Sequence, residues 1–204
     1  PDSVRGAPIR EAALYDGIRI HLVAMLGTAR IPLQIDIGFG DAIEPPPAEI
    51  IYPTMLDLPK PKIRGYRQEL AIAEKFEAMI SKGAATSRLK DYYDIWILSN
   101  TFSFNRPEVA SAVAATFQRR KTALPIGTPP SLGEEFTTNP DRLRQWDALM
   151  KRFHPHGSSP TLADTALAVQ SFLLPIGESI QKNEDQAGNW PPGGPWNLKE
   201  VKGR

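Results

Sequence analysis

Two stretches of alternating character, separated by Gly27-Thr28, constrain this chain more than any other feature. From Gly17 to Leu26, the side chains of Ile18, Ile20, Leu22, Ala24 and Leu26 point one way, and those of Arg19, His21, Val23 and Met25 the other. From Ala29 to Ile37, Ile31, Leu33, Ile35 and Ile37 oppose Arg30, Pro32, Gln34 and Asp36. Period-two alternation predicts half-buried strands, and a two-residue turn with glycine first predicts that they form a hairpin. The turn also sets the register. Ile18 faces Ile37, Ile20 faces Ile35, Leu22 faces Leu33 and Ala24 faces Ile31, while Arg19 faces Asp36, His21 faces Gln34 and Met25 faces Arg30. A slip by one residue would mix the two faces, so this pairing is well specified. Pro32 falls at a non-hydrogen-bonded pair, where its missing N–H does not interrupt the ladder.

Beyond the hairpin the chain is punctuated by proline. Its 204 residues include 20 prolines, about twice the usual share. Pro45-Pro46-Pro47 excludes helix there, and residues 50–58 and 63–66 predict short strands, the first interrupted at Pro53. From residue 68 the period changes. Glu69, Ile72, Ala73, Phe76, Met79 and Ile80 form one stripe over 68–81, with Gly83 as a stop. Further helices are predicted over 88–99, 107–118, 140–153 and 161–181, with a break or kink at Pro175. Residues 122–138 read as a linker, and Trp190-Pro191-Pro192-Gly193-Gly194-Pro195-Trp196 as a docking strap. The expected class is α+β: a partial mixed β-sheet containing the 17–37 hairpin, followed by a helical C-terminal bundle. The expected organisation is 1–67 as the sheet portion, 68–182 as the helical domain and 183–204 as a tail strap.

There is no cysteine, so disulfides and thiolate metal sites are excluded. No run approaches the ~18 apolar residues of a spanning helix, and no signal-peptide pattern opens the chain. A net charge of +1 hides an uneven distribution: residues 1–60 carry −3, residues 61–125 carry +5 and residues 126–204 carry −1. The basic middle, from Lys62, Arg64 and Arg67 to Arg119-Arg120-Lys121, suits either a solvated face or a phosphate-facing one.

Few residues are candidates for chemistry. Asp36 lies mid-strand among β-branched neighbours, and its strand exits into Gly38 and Gly40. It suits a hard cation such as Mg²⁺, or an ion pair with Arg19 directly opposite. Lys75 borders the apolar stripe of its helix, where it is either a phosphate-binding cation or a snorkelling lysine. Asp91 and Asp94 lie i, i+3 on one face of an otherwise largely apolar helix, with Lys90, Arg88 and Lys75 as possible partners. His154 and His156 make only a weak metal signal, with no third ligand evident, and no nucleophile-elbow motif adjoins any of the 3 histidines.

Taken in order, Leu33-Gln34-Ile35-Asp36-Ile37-Gly38, then Ala73-Glu74-Lys75-Phe76-Glu77-Ala78-Met79, then Ser87-Arg88-Leu89-Lys90-Asp91-Tyr92-Tyr93-Asp94-Ile95-Trp96 resemble the nucleotidyl transferase AbiEii/AbiGii toxin family. That family belongs to the DNA polymerase β-like nucleotidyltransferase superfamily. The resemblance is strongest over residues 15–100. It implies a cytoplasmic toxin of a toxin–antitoxin or phage-defence system, moving a nucleotide from an NTP to an RNA acceptor, in some members the 3′ end of a tRNA. It implies Mg²⁺ as cofactor and a cognate antitoxin that need not touch the toxin, with no membrane partner. By the same resemblance Asp36 is a catalytic, metal-binding carboxylate, Lys75 is a catalytic residue that contacts the triphosphate, Arg88 helps to bind the nucleotide, and Asp91 and Asp94 form the catalytic acidic motif further along. Gln34 stands where many members carry lysine. The family's opening Gly-Gly or Gly-Ser turn with its Asp-x-Asp pair is not found in these 204 residues and would precede Pro1. Two-metal transfer holds its ions about 3.5–4 Å apart with several carboxylates. The expectation is therefore a truncated nucleotidyltransferase, inactive alone. The alternative is a non-catalytic relative that binds RNA or a protein partner.

Overall fold

The hairpin forms in the expected register. In the computed structural model, which describes residues 4–9, 17–40, 42–154, 157, 159–184 and 187–198, strand β2 (Gly17–Leu26) pairs antiparallel with β3 (Ala29–Gly38). Ile18 lies opposite Ile37, Arg19 opposite Asp36 and Val23 opposite Pro32. Gly27 turns the chain at φ 59°, a left-handed conformation that glycine adopts without strain. A third strand, β1 (Arg5–Pro8), adds to the other edge of β2 and gives the order β1-β2-β3. Its sequence, Arg-Gly-Ala-Pro, has no apolar alternation, which is why it is not legible as a strand. These strands lie in the first of two compact units, Pro1–Ala42 and Ile43–Arg204.

The second unit opens with a small antiparallel ribbon of β4 (Ala48–Ile51) and β5 (Lys62–Gly65). β4 ends just before Tyr52-Pro53, as a proline in its path dictates. Then come α1 (Gln68–Lys82), a single 3-10 turn (Gly83–Ala85) and α2 (Leu89–Thr101). Short β6 (Phe104–Asn105) leads into α3 (Arg106–Arg120), whose first turn carries Pro107 where a proline is tolerated. The segment read as a linker contains a short helix, α4 (Glu134–Thr138). It is followed by α5 (Pro140–Phe153), N-capped by the Asn139 side chain, and by α6 (Leu162–Lys182), opened by a capping box between Thr161 and Asp164.

Pro175 does not split α6. Phe172, Leu173 and Ile176 around it are fully buried, and this packing outweighs the local cost of the missing N–H. The Pro175 carbonyl accepts hydrogen bonds from the Arg106 guanidinium (3.0 Å) and the Ser179 hydroxyl (2.8 Å).

The core of this unit is helical. Ile72, Phe76 and Met79 from α1, Tyr92 and Ile95 from α2, Val109 and Val113 from α3, and Phe172 and Ile176 from α6 are all fully buried. Buried polar groups are locked to it: Glu77 accepts from Arg120 (2.8 Å) and from Thr122 (2.5 Å), and the Tyr92 hydroxyl donates to the Ser131 carbonyl (2.7 Å).

The Pro/Gly/Trp segment closes the bundle. β7 (Gly188–Trp190) pairs with β6 and with β8 (Asn197–Leu198), so every described ladder is antiparallel. The Trp190 indole donates to the Ser99 carbonyl at 2.8 Å and packs on Phe172, with ring centroids 4.8 Å apart. Trp196 stacks on the same phenylalanine at 5.3 Å and donates to its carbonyl. Gly194 has φ 71°, and a Cβ there would fall within the Trp190 indole. Gly194→Ala therefore combines overpacking with left-handed strain. It is expected to cost about 2–4 kcal/mol, read as a lower urea midpoint with unchanged slope.

Candidate active site

Lys75 is placed by the stripe that buries α1. Ile72, Phe76 and Met79 face the core, and Lys75 on the border extends its stem along that surface toward α2. There its ammonium meets two carboxylates, with Nζ 2.7 Å from Asp91 Oδ1 and 2.7 Å from Asp94 Oδ2. The i, i+3 spacing brings both acids to one face of α2, and Asp91 lies in its first turn, where the helix dipole favours negative charge. Lys90, one turn before Asp94, binds the same carboxylate at 2.6 and 2.7 Å. The side chains of Lys75, Asp91 and Asp94 are 26%, 11% and 18% exposed, so this is a half-buried cluster with one side open to solvent. Asp91 Oδ2 is buried without a hydrogen-bond partner. Arg88, the residue before α2, is exposed.

The electrostatics come from the geometry. Burial alone would raise the Asp94 carboxyl, but the Lys75 and Lys90 ammonium groups outweigh it and hold the carboxyl below its ordinary 3.8. Burial alone would lower Lys75, but its bonds to Asp91 and Asp94 hold it above 10.5. A carboxylate depressed on folding contributes stability above its unfolded pKa and loses it as pH falls through the folded value. A lysine raised on folding contributes below its unfolded pKa and loses it as pH rises through the folded value. The cluster is thus expected to be fully stabilising between roughly pH 5 and 9. Urea midpoints measured across pH should fall at both ends, and Asp94→Asn should flatten the acid limb.

Asp36 is in a different setting. The Arg19 guanidinium grips it with two bonds, Nε to Oδ1 and Nη2 to Oδ2, both 2.8 Å. Gln34, two residues along the same strand face, adds Nε2 at 3.3 Å from each oxygen. The Arg19 bonds hold the Asp36 carboxyl below its ordinary range. The ion pair expected from the strand register is therefore present. Asp36 lies in the first compact unit, whereas Lys75, Arg88, Asp91 and Asp94 lie in the second.

As it stands, this donor set does not fit Mg²⁺. Asp36 already accepts a bidentate guanidinium, and Lys75 and Lys90 together already neutralise Asp91 and Asp94. Among the described residues no group of three or more His, Asp or Glu side chains could hold a metal ion. His154 Nε2 lies 2.9 Å from the Tyr93 hydroxyl, and His156 is outside the described residues. Among the described residues no helix is long and apolar enough to cross a membrane.

The model of the family described as "Nucleotidyl transferase AbiEii toxin, Type IV TA system" matches residues 2–169, most of the chain. The chain belongs to the AbiEii family. Its class is therefore that of a nucleotidyltransferase toxin of a type IV toxin–antitoxin system. No curated protein and no solved structure matches the chain significantly. In this AbiEii chain, the helix lysine and the two acids picked out in the sequence meet in one cluster. Lys90, in the sequence only a possible local partner, proves to be a full member of it. Its i, i+4 spacing to Asp94 was the available signal.

Proposed function

We propose that this AbiEii chain is part of an enzyme that transfers a nucleotide from an NTP to an RNA acceptor, with the 3′ end of a tRNA as the candidate acceptor, and that residues 1–204 do not perform the transfer alone. The observation that supports this best is the Lys75 ammonium, oriented by two carboxylates at 2.7 Å on the open side of the helical unit. An ammonium has three N–H donors. Two point at Asp91 and Asp94, and the third is left for a phosphate oxygen. The two acids fix the position of Lys75, and Lys90 keeps the local charge balanced so that an anion can approach. Exposed Arg88 beside the cluster offers a second cation to the phosphates. Cytoplasmic location, a cognate antitoxin that counters the toxin, and the division at residues 67 and 182 belong to the same reading.

Mg²⁺ is proposed as the family's metal, with Asp36 as the carboxylate of the hairpin offered to it. Asp36 would first have to release Arg19, and these 204 residues contain no Asp-x-Asp pair to complete the site. The proposal is therefore that residues 1–204 do not transfer nucleotide alone. A chain that also carries an Asp-x-Asp strand ahead of Pro1 should do so. The test is transfer of label from NTP to tRNA with Mg²⁺ by both forms. Transfer by the longer form only supports the reading, whereas inactivity of the longer form or full activity of residues 1–204 overturns it.

One observation favours a second reading. The closed Arg19–Asp36 fork is what a non-catalytic relative would retain, one that binds RNA or a protein partner through the basic 60–121 region. That reading predicts no transfer by either form.

A further inference from the structure

The helical unit opens into an apolar groove between α4 and α6. Its volume is about 340 Å³, within the ~300–1,000 Å³ range of binding clefts. Leu132 and Ala166, each 1% exposed, form its floor. Leu167 lines it while 58% exposed, and Glu134 and Thr137 line it from α4. The groove follows from the sequence of α6. That helix buries Val169, Phe172 and Leu173 in the core. Beside that face runs a second stripe, Ala163, Ala166, Leu167 and Gln170, at the i, i+3, i+4, i+7 spacing of a packing surface. With 5 residues, α4 is too short to cover it.

The polar groups at the groove are largely turned back on the protein. Gln170 Nε2 donates to the Leu132 carbonyl at 2.7 Å, and the Thr137 hydroxyl donates to the Glu134 carbonyl at 3.1 Å. Charge is left to the carboxylates. The two segments that build the groove, residues 128–140 and 161–181, carry Glu134, Glu135, Asp164 and Glu178 and no lysine or arginine. All four acids are exposed. Arg142, just past the first segment, donates to the Ala84 carbonyl (2.9 Å) and lies 5.4 Å from the centroid of the Phe136 ring.

This pairing of surfaces selects one kind of occupant. An acid-rimmed groove repels phosphates, which sets nucleic acid aside. Its walls are helices and offer no strand edge, so an occupant must satisfy its own backbone groups, as a helix does. Ala163 and Ala166 let that helix approach closely. From Ala163 to Gln170 the stripe is about 10 Å long, two turns of contact. We infer that the α4–α6 groove docks a basic amphipathic helix of a partner protein. Its aliphatic side chains rest on Ala166 and Leu167, and its lysines or arginines face Glu134, Glu135 and Asp164. This surface is independent of the nucleotidyl-transfer reading and stands or falls without it.

The probe is a labelled synthetic helix of about 14 residues, with leucines at i and i+4 on one face and lysines on the other. It is titrated into the 204-residue chain beside two controls, a counterpart with glutamates for the lysines and a shuffled peptide of the same composition. Saturable one-to-one binding that weakens with salt is expected for the basic helix, and weaker binding for both controls. Leu167→Ser is expected to weaken it about tenfold. Ala163→Phe fills the groove from an exposed position and should abolish binding. Glu134→Lys should weaken binding and flatten its salt dependence. Both Ala163 and Leu167 are exposed, so melting temperatures should stay unchanged and a loss of binding reports on the surface itself. The inference is overturned if either control peptide binds as tightly, or if Leu167→Ser and Ala163→Phe both bind like the wild type. It is also overturned if light scattering finds a dimer that Leu167→Ser dissociates, because a second copy then fills the groove.

Discussion

Replacing Lys75 with methionine is expected to remove NTP binding and to destabilise the helical unit by about 2–3 kcal/mol. The chain length is kept, so packing along Ile72 and Phe76 changes little, and the loss is electrostatic. Asp94 keeps Lys90 as a partner. Asp91 keeps none, because its Oδ1 is held by Lys75 and its Oδ2 is already buried without a hydrogen bond. Stranding a fully buried charge costs about 3–5 kcal/mol, and the partial exposure of this cluster places the cost below that range. Adding Asp91→Asn to the Lys75→Met chain should therefore recover part of the stability without recovering nucleotide binding. Denaturant titrations of the two single variants and the double variant, alongside NTP titrations, separate the two effects.

Trp190→Ala is expected to have the largest effect on stability alone. The side chain is 3% exposed, packs on Phe172 and Trp196, and carries one of the two bonds that tie the C-terminal strap to the Ser99 carbonyl. The second is the backbone N–H of Gly193, at 2.9 Å. Truncation leaves a cavity against Phe172, at the centre of the helical core, and costs about 4 kcal/mol. For a chain of this size the melting temperature should fall by on the order of 10 °C. Trp190→Phe keeps most of the volume and loses the indole N–H, so it should cost about 1–2 kcal/mol. Comparable losses from both variants would mean that the hydrogen bond, and not the packing, holds the strap.

Much of this was legible in the sequence, for physical reasons that differ by element. The β2–β3 register came from a one-glycine turn and two clean alternating faces. The limits of α1 came from an apolar stripe ended by Gly83. β1 was hidden because its four residues carry no alternation and are specified only by their partner. α4 was hidden because a five-residue helix between prolines has no period to read. Pro175 misled in the other direction, since a local rule was overridden by the burial of Phe172, Leu173 and Ile176. At the site, the spacing of Asp91 and Asp94 and the border position of Lys75 announced a shared face. The groove between α4 and α6 was not legible, because α4 itself was hidden.

Lys75 is the group proposed to take the triphosphate. The most direct measurement is the phosphorus-31 spectrum of an NTP titrated with the 204-residue chain and with its Lys75→Gln variant. Saturable shifts of the β- and γ-phosphates with the wild type, lost in a variant whose circular dichroism is unchanged, are the predicted result. Equal shifts with both proteins would contradict it.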